Sequence, residues 1–283
     1  MAALFVDQLT VIDFAYFDPK RGIVGESWIV DIVLEGDLDD QGMVFDFGDV
    51  KKQIKIAIDG SVDHKFVVPK RYHKLNSQLE ENNLLLEIQD EQDRWYRHQS
   101  PSEAVVLLES DNVTMDAVKT LLIEECRQVV PDNVTHIELT LSTENITGAY
   151  YHYAHGLKKH LGDCQRIAHG HRSQIQIFAD DVRSESLESL WAKKWQDIYI
   201  ATQEDLVKEL QIDDEDYYHF EYQSEQGHFA LTLPKADCHL MQNDTTVELI
   251  ANHIAKQIKL VEPEKAISIK AFEGVNKGAM ASA

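Results

Sequence analysis

The hydrophobic positions near the start of the chain follow the spacing of strands rather than of helices. Leu9–Phe14 and Trp28–Leu34 are short, rich in β-branched and aromatic residues, and predict two strands. Asp46 can cap a helix that follows, and Gly60 is its expected end. The apolar stripe of this predicted helix consists of Phe47, Val50, Ile54 and Ile58.

A polar stretch separates these elements from a second helix. Residues 75–101 are charged and irregular in pattern, and we expect an insertion that is partly helical. Thr114 opens the second helix, and the alternating segment His136–Ser142 follows it as a strand. The apolar stripe of this helix consists of Val118, Leu121, Leu122 and Cys126.

The C-terminal part of the chain repeats this arrangement loosely. Residues 180–197 are acidic and are expected to form a second insertion. A helix begins at Asp244 or Thr245, and a last strand contains Ile267 and Ile269. The other strand-like segments are Ala149–Tyr153, Ser173–Phe178, Tyr217–Tyr222 and Phe229–Leu233.

The two parts end alike, which indicates an internal repeat. In each, a helix led by threonine precedes a strand that ends at a glutamate, Glu144 in the first part and Glu273 in the second. These glutamates are about 130 residues apart, a domain-sized period. We therefore predict two tandem units, residues 1–146 and 147–283, of the α+β class, with antiparallel sheets covered by helices.

Composition and charge limit the classes of function. The 283 residues have a formal net charge of −22, which disfavours nucleic acid because its phosphates would be repelled. No apolar run reaches the roughly 20 residues that cross a bilayer, and the start lacks the features of a signal peptide. Three widely spaced cysteines give no disulfide framework. We expect a cytoplasmic protein without nucleic-acid or membrane partners.

The densest group of chemically versatile residues lies near the middle of the chain. His169 and His171 are two positions apart, so on a strand both imidazoles point to one face. His155 lies on what the pattern predicts to be an adjacent strand. Three histidines with an open fourth position are typical of catalytic zinc. Cys164 is either a fourth, closing ligand or a thiolate base activated by the neighbouring cation.

A second, weaker motif is Asp63-His64-Lys65 in the first unit. Adjacent side chains of one strand face opposite ways, so Asp63 cannot easily bond the ring of His64 there. At a turn, Asp63 can orient another histidine or bind substrate, while His64 relays protons near neutral pH. Taken alone, the motif is more typical of a solvated turn.

Together these motifs resemble the family of 6-pyruvoyl tetrahydropterin synthase and 6-carboxytetrahydropterin synthase. Its members have a zinc-binding histidine in an Ala-His-x-Leu context and a cysteine shortly before His-Gly-His. Here these appear as Ala154–Leu157, Cys164 and His169–His171. Gly42–Phe47 and Asp63–Lys65 resemble two further motifs, although here they precede the zinc motif. The end of the family pattern is matched by Thr246, Glu248 and Glu273.

The changed order resembles two fused tunnelling-fold units, each incomplete. The first has Gly25-Glu26-Ser27 roughly where His-Gly-His would stand, so it should bind no zinc. The second has Gly227-His228-Phe229 in the stretch where Asp-His-Lys is expected. Family active sites lie between neighbouring subunits, so one set of groups per unit would still complete a site. The resemblance also implies a homo-oligomer, for example a trimer of fused pairs.

The resemblance implies a zinc-dependent lyase whose small-molecule substrate is 7,8-dihydroneopterin triphosphate. Cys164 would remove or deliver a proton on the pterin side chain, with Asp63 and His64 as a relay. Zn²⁺ would polarise the side-chain oxygens of the substrate. The implied zinc ligands are His155, His169 and His171.

The same resemblance leaves the pterin contact and the product open. Glu273 or Glu144 would hold the pterin amino and ring N–H groups, with Glu273 preferred, and Thr246 would line the same site. The preferred product is 6-carboxytetrahydropterin, made by side-chain cleavage as in deazapurine and queuosine synthesis. The alternatives are elimination of triphosphate to give 6-pyruvoyl tetrahydropterin, or a non-catalytic homologue that binds pterin or zinc.

Overall fold

Two long antiparallel strands, β1 (Ala2–Asp18) and β2 (Gly22–Gly36), begin the chain. The computed structural model describes residues 1–283. In both halves helices pack on sheets whose strand pairs are mostly antiparallel, with four parallel pairs at the edges, which confirms the predicted α+β class. The other elements of the first half are α1 (Phe47–Val62), β3 (Phe66–Pro69), β4 (Leu75–Glu80), β5 (Asn83–Gln89), β6 (Trp95–Pro101), β7 (Val105–Leu108), α2 (Met115–Arg127) and β8 (Val134–Thr143).

The second half follows residues 144–149, which connect β8 to the next strand. Its elements are β9 (Tyr150–His155), β10 (His169–Ala179), β11 (Val182–Arg183), α3 (Glu185–Lys194), β12 (Ile198–Thr202), β13 (Leu206–Ile212), β14 (Glu215–Ser224), β15 (Gly227–Pro234), β16 (Cys238–Met241), α4 (Val247–Val261), β17 (Ile267–Phe272) and β18 (Gly278–Ser282). None of the four α-helices combines the length and the hydropathy that are needed to cross a bilayer.

Three sheets organise the strands. The first half forms one in the order β7-β3-β1-β2-β8, and α1 and α2 pack on it. The second half forms another in the order β16-β12-β9-β10-β17-β18, with β11 beside β10, and α3 and α4 pack on it. Both halves contribute to the third sheet, β13-β14-β15-β6-β5-β4, because β6 pairs with β15. We call this third sheet the shared sheet.

Three of the helices begin where the sequence places a hydroxyl or carboxylate acceptor. Asp46 caps α1 and Thr114 caps α2, as predicted, each by accepting a backbone N–H of the first turn. Helix α1 continues to Val62, past its predicted end at Gly60. Helix α4 is capped by Thr246, one or two residues later than predicted.

The prediction of a partly helical insertion over residues 75–101 is wrong, because this stretch forms β4, β5 and β6. Leu84 and Leu86 face the core and alternate with less buried neighbours, which is the period of a strand. Charged residues such as Glu87 and Arg97, 3.1 Å apart, pair on the other face of the shared sheet. These charges hid the alternation in the sequence.

The predicted acidic insertion over residues 180–197 is also wrong, since this stretch contains α3. Trp191 and Trp195 are buried in the core below the helix. Glu188 is buried as well, where it accepts from Nε of Arg183 at 2.8 Å. Helix α3 follows β9 and β10 as α1 follows β1 and β2, so it is a repeated element and not an added one.

Strand register relates the two halves residue by residue. Ala15 lies opposite Gly25 in β2, and Ala154 lies opposite Gly170 in β10. Both alanines also pair with a following parallel strand, β3 in the first half and β12 in the second. A residue of one half therefore has a defined counterpart in the other, found by counting from these pairs.

The sheets of the two halves meet face to face at these glycines. A Cβ on Gly25 would lie 1.8 Å from the carbonyl oxygen of Tyr153, and one on Gly170 would lie 2.6 Å from Cα of Gly25. Neither glycine has a positive φ, so the requirement is for space and not for conformation. The two backbones can approach this closely only because both positions lack a side chain.

We expect Gly25→Ala to destabilise the protein by about 3 kcal/mol or more, because the methyl group would overlap the Tyr153 carbonyl. Urea unfolding measures the change. Gly60→Ala is the control, since nothing lies within 4 Å of a Cβ added there in α1. That control should be neutral or stabilising by up to about 1 kcal/mol. Equal stabilities of the two variants would contradict the close contact at Gly25.

Candidate active site

Three buried histidines of the second half converge on one point. His155 ends β9 and lies opposite His169, the first residue of β10. His171 follows two residues later on the same face. Their ligand nitrogens lie within 4.8 Å of one another, and their ring centroids are between 4.5 and 5.9 Å apart. The structure therefore brings together the three residues that the sequence predicted as metal ligands.

Hydrogen bonds at Nδ1 fix two of these rings. Nδ1–H of His155 donates to the Thr245 carbonyl oxygen at 3.0 Å, and Nδ1–H of His169 donates to the Arg166 carbonyl oxygen at 2.9 Å. A carbonyl oxygen only accepts, so Nδ1 is the protonated nitrogen in both rings. The free lone pair is then on Nε2, which faces the centre of the cluster.

The donor set fits a divalent metal ion. Nε2 of His155 and Nε2 of His171 are buried without a hydrogen-bond partner. Burial, reinforced by a neighbouring imidazole, lowers the pKa of His155 and of His169 well below the usual range, so both rings stay neutral. Neutral imidazoles anchored through Nδ1 are typical ligands of Zn²⁺, and three of them leave a fourth position for substrate.

Asp13 of β1, which the sequence analysis did not select, supports the third histidine. Its Oδ1 lies 3.2 Å from Nδ1 of His171, and its Oδ2 accepts from Nζ of Lys277 at 2.9 Å. Although burial acts in the opposite direction, His171 and Lys277 hold the pKa of this carboxyl below its usual range. A carboxylate behind a metal-binding histidine orients the ring and raises its basicity. The signal in the sequence was a single charge within the apolar run Leu9–Phe14.

Asp63 and His64 approach the histidine cluster from the first half. Nδ1 of His64 donates to Oδ2 of Asp63 at 2.8 Å. Donor atoms of His64, Cys164 and His169 lie within 4.8 Å of one another. Burial opposes protonation, but hydrogen bonds to Asp63 and Cys164 raise the pKa of His64 to about 10. Asp63, His64 and Cys164 thus form a row of proton donors and acceptors beside the metal ligands.

The direct bond between the adjacent side chains of Asp63 and His64 corrects the expectation that Asp63 would orient a different histidine. Asp63 is the C-cap of α1, and His64 follows with a φ of 54°, in the left-handed region. This conformation is uncommon outside glycine and often occurs at functional sites. Oδ1 of Asp63 also accepts the backbone N–H of Asp13 at 2.7 Å, which ties the relay to the carboxylate behind His171.

Cys164 lies in a short 3-10 helix, Gly162–Gln165, in the loop between β9 and β10, and is partly exposed. The cluster of His64, Cys164 and His169 shares only His169 with the cluster of three histidines. The sulfur therefore lies on the His64 side of the site and not among all three imidazoles. This position suits a base better than a fourth metal ligand.

The two candidate pterin-binding glutamates lie in different places. Burial and, after it, the charge of Glu273 raise the pKa of Tyr153, and the Tyr153 ring is 5.2 Å from that of His171. Glu144 follows β8 instead, and its carbonyl oxygen accepts from Nη1 of Arg172 at 2.9 Å. The Glu273 N–H donates to the Lys277 carbonyl oxygen at 3.0 Å, and Lys277 pairs with the carboxylate beside His171, so Glu273 is the glutamate on the side of the histidine cluster.

The glutamates are also not counterparts in the repeat. Thr143 of β8 pairs with Trp28. Continued two positions past its last pair, Ile175 with Ala271, the register of β10 with β17 brings Glu273 opposite Ser173, which is the counterpart of Trp28. Thr143 is therefore the counterpart of Glu273, and Glu144 lies one residue beyond. Glu144 and Glu273 look equivalent in the sequence, but in the structure their positions differ by one residue.

Thr246 caps a helix, whereas its neighbour Thr245 contacts the histidine cluster. The hydroxyl of Thr246 caps α4 by accepting the Leu249 N–H at 3.4 Å. The fully buried Thr245 contacts the site, with its Oγ1 3.1 Å from Nδ1 of His155. The sequence analysis missed Thr245 because only Thr246 matched the family motif. A substrate contact at Thr246 remains a prediction.

Gly227-His228-Phe229 does not replace Asp-His-Lys in the second half, which corrects that expectation. The segment begins β15 in the shared sheet, where His228 pairs with Gln223. The counterpart of His64 is Asp197, whose φ of 55° nearly equals the 54° of His64. The Asp197 carboxylate binds the Arg21 guanidinium, with Nε to Oδ2 at 3.0 Å.

Comparison with known proteins gives a consistent assignment. Residues 12–151 match the family model described as 6-pyruvoyl tetrahydropterin synthase, a range that contains Asp63 and ends before His155. A Pyrococcus abyssi protein provisionally named 6-carboxy-5,6,7,8-tetrahydropterin synthase is 25% identical over 136 residues, or 47% of this chain and 76% of that protein. A protein of the same name from Pyrococcus horikoshii is 23% identical over 138 residues, or 48% and 77%.

Solved structures from two malaria parasites also resemble part of the chain. They are 6-pyruvoyl tetrahydropterin synthases from Plasmodium falciparum and Plasmodium vivax, and each match covers 50% of this chain and 90% of the other. The TM-scores are 0.41 and 0.38, at sequence identities of 18% and 23%. Similarity at this level carries no detail of a site from one protein to the other.

We expect Asp13→Asn to weaken Zn²⁺ binding by about 10- to 100-fold, because the amide cannot replace the carboxylate behind His171. Competition with a chromogenic chelator measures the affinity. Asp90→Asn is the control, since Asp90 is equally buried but pairs with Arg94 in the turn between β5 and β6 and belongs to neither cluster of metal-ligand atoms. Equal loss of zinc affinity in both variants would show that Asp13 acts only through general stability.

Proposed function

The chain belongs to the 6-pyruvoyl tetrahydropterin synthase family, and we propose that it is a zinc-dependent lyase that converts 7,8-dihydroneopterin triphosphate to 6-carboxytetrahydropterin. Its function is of the tetrahydropterin synthase type, and its fold is that of two tunnelling-fold units in tandem. We place the boundary between residues 146 and 147, within the connection from β8 to β9. Zinc, substrate and product are parts of the proposal.

One observation carries the proposal: groups of both halves meet at one buried point. His155, His169 and His171 of the second half present lone pairs to a common centre. Asp63 and His64 of the first half stand beside the same cluster. Neither half contains both sets, so the combined site needs the fused chain. Such mutual completion supports a shared catalytic site over two independent structural features.

In the proposed reaction, some residues hold the metal ion and orient the side chains around it, and others transfer protons. When bound, Zn²⁺ supplies a Lewis acid that polarises the side-chain oxygens of the substrate. Sγ of Cys164 takes a proton from the side-chain carbon next to a hydroxyl group. His64 exchanges protons with this sulfur, and the Asp63 carboxylate, which accepts from Nδ1 of His64, holds the ring in position. Asp13 keeps His171 oriented throughout.

We assign recognition of the pterin ring to Glu273. A carboxylate accepts two parallel N–H bonds, which matches the amino group and adjacent ring N–H of a pterin. Glu273 lies on the same side as the Tyr153 and His171 rings, whereas Glu144 lies by Arg172. We retain Thr246 as a weaker candidate contact at the start of α4.

The two Pyrococcus relatives support the 6-carboxy product. Two alternatives remain open to experiment. The family description names 6-pyruvoyl tetrahydropterin synthase, which would require loss of triphosphate in place of side-chain cleavage. A non-catalytic homologue would bind zinc and pterin without turnover, an option motivated by a first half without the metal ligands.

We also propose that the protein works as a homo-oligomer in the cytoplasm, with no nucleic-acid partner. Strands β8 and β18 are edge strands of their sheets, and unpaired edges favour addition of another copy. Three free cysteines fit a reducing compartment. The net charge of −22 opposes binding to nucleic acid.

Turnover is tested with purified, zinc-loaded protein and 7,8-dihydroneopterin triphosphate, with products identified by mass spectrometry. We expect 6-carboxytetrahydropterin from the wild type and a loss of at least about 100-fold in Cys164→Ala. Cys238→Ala is the matched control and should retain activity, because its thiol lies in β16 outside the site. No product from wild-type protein that holds one zinc per chain would support the non-catalytic alternative instead.

The oligomer is tested by light scattering after size-exclusion chromatography. We expect a mass three times that of the chain, because closure of the sheets through their edges removes unpaired backbone groups. The measurement is made at several protein concentrations, so that dissociation is visible as a falling mass. A single species with the mass of one chain at all concentrations would refute the proposed assembly.

A further inference from the structure

A cavity lies on the side of the molecule that corresponds to the active site in the repeat. It has a volume of about 340 Å³, within the roughly 300–1,000 Å³ typical of small-molecule sites. Neither the metal ligands nor Cys164 line this cavity, so it is separate from the active site. Seven residues line it: Arg21, Tyr150, Tyr151, His152, Ala192, Lys193 and Gln196.

Contacts across the sheets show that this cavity repeats the setting of the active site. By strand register, His152 is the counterpart of Asp13, and Glu26 is the counterpart of His171. Asp13 lies 3.2 Å from His171, and His152 lies 3.9 Å from Glu26, so the same pair of positions meets twice. The active site and the cavity are therefore related by the internal repeat.

The repeated site cannot hold zinc in the manner of the first. The counterparts of His155, His169 and His171 are Tyr16, Val24 and Glu26, and valine offers no ligand atom. The permanently charged guanidinium of Arg21 lies at this position instead of a metal ion. The guanidinium of Arg21 donates through Nη1 to the Tyr16 hydroxyl at 3.1 Å and pairs with Asp197, the counterpart of His64.

The cavity wall is cationic although the chain is acidic. Arg21 and Lys193 line it, and no lining residue is a carboxylate, whereas the whole chain has 49 acidic residues against 27 basic ones. Asp197, which does not line the cavity, pairs with Arg21, so the net positive charge of the wall comes from Lys193. Arg21 uses three of its five N–H donors on Tyr16 and Asp197, which leaves two for a ligand. A small anion is the complementary occupant.

The remaining wall provides a flat surface and one acceptor. The Tyr150 ring is 41% exposed, and the Arg172 guanidinium covers one face at 4.1 Å from the centroid. Nδ1–H of His152 donates to the Gly25 carbonyl oxygen at 2.8 Å. Burial lowers the pKa of His152 to about 4, so the ring is neutral at pH 7 and its Nε2 can accept. A planar ligand with a ring N–H fits both features.

We propose that this cavity is a second binding site for an anionic pterin, which is held there without metal and without reaction. The negative substituent pairs with Arg21 and Lys193, the ring stacks beside Tyr150, and a ring N–H donates to His152. The inference rests on the proposed function, because the preference for a pterin is taken from the active site that the cavity repeats. No thiol lines this cavity, so the ligand leaves unchanged.

The test counts ligands on the full-length, zinc-loaded protein with 6-carboxypterin, a fluorescent planar anion, by calorimetry and fluorescence titration. We expect two molecules per chain in the wild type and one in Glu273→Ala, which removes the proposed anchor in the active site. Lys193→Glu should weaken only the second site, by about tenfold or more. Lys194→Glu, the adjacent residue of α3 outside the cavity wall, is the matched control and should leave both sites intact.

Several results would overturn the proposal. These are no binding at millimolar ligand, a single ligand per chain that Glu273→Ala abolishes, or a second site equally affected by Lys193→Glu and Lys194→Glu. The proposed function can fail independently of the second site. Wild-type protein that binds two molecules of 6-carboxypterin but forms no product would refute the proposed function and support the second site. Conversely, normal turnover with one bound ligand would refute only the second site.

Discussion

The close approach of two backbones at Gly25 and Gly170 is the constraint on which the rest of the molecule depends. It sets the distance between the sheets of the two halves, since neither position leaves room for a Cβ. At this distance Asp13 of the first half reaches both His171 and Lys277 of the second half. At a wider spacing, His171 would lose its contact with the Asp13 carboxylate, and Asp13 would lose its contact with Lys277.

Fusion of two units explains how each half lost part of a site without loss of the whole. Identical subunits must each keep metal ligands and relay, because every copy supplies both. In the fused chain the second half keeps the three histidines, while the first keeps Asp63 and His64. Val24 and Asp197 occupy the positions that correspond to His169 and His64. The repeated position could acquire a fixed cation, Arg21, where the other half gathers imidazoles.

The sequence predicted what depends on local pattern and missed what depends on distant contacts. Helix α1 follows from its apolar stripe and cap, and the HxH spacing alone places His169 and His171 on one face. Strands β4 to β6 were missed because charges on their outer face, such as Glu87 and Arg97, hid the alternation, and because the outer partner of β6 is a strand of the other half. Asp13 was missed because its role depends on a contact with His171, which is distant in the sequence. The Asp63–His64 bond was missed because it requires a left-handed backbone conformation at His64, and such a conformation is usually predicted only at glycine.

The shared sheet has a consequence for how the chain reaches its native state. Strand β6 lies in the first half and β15 in the second, and they pair residues that are 131 to 135 positions apart, as in Ala230 with Gln99 and Thr232 with Arg97. Such pairing must await synthesis of both halves and closure of a long loop, so it belongs to the slow, late part of folding. Until then, each half exposes an unpaired edge, and the nascent first half is the form most exposed to wrong association.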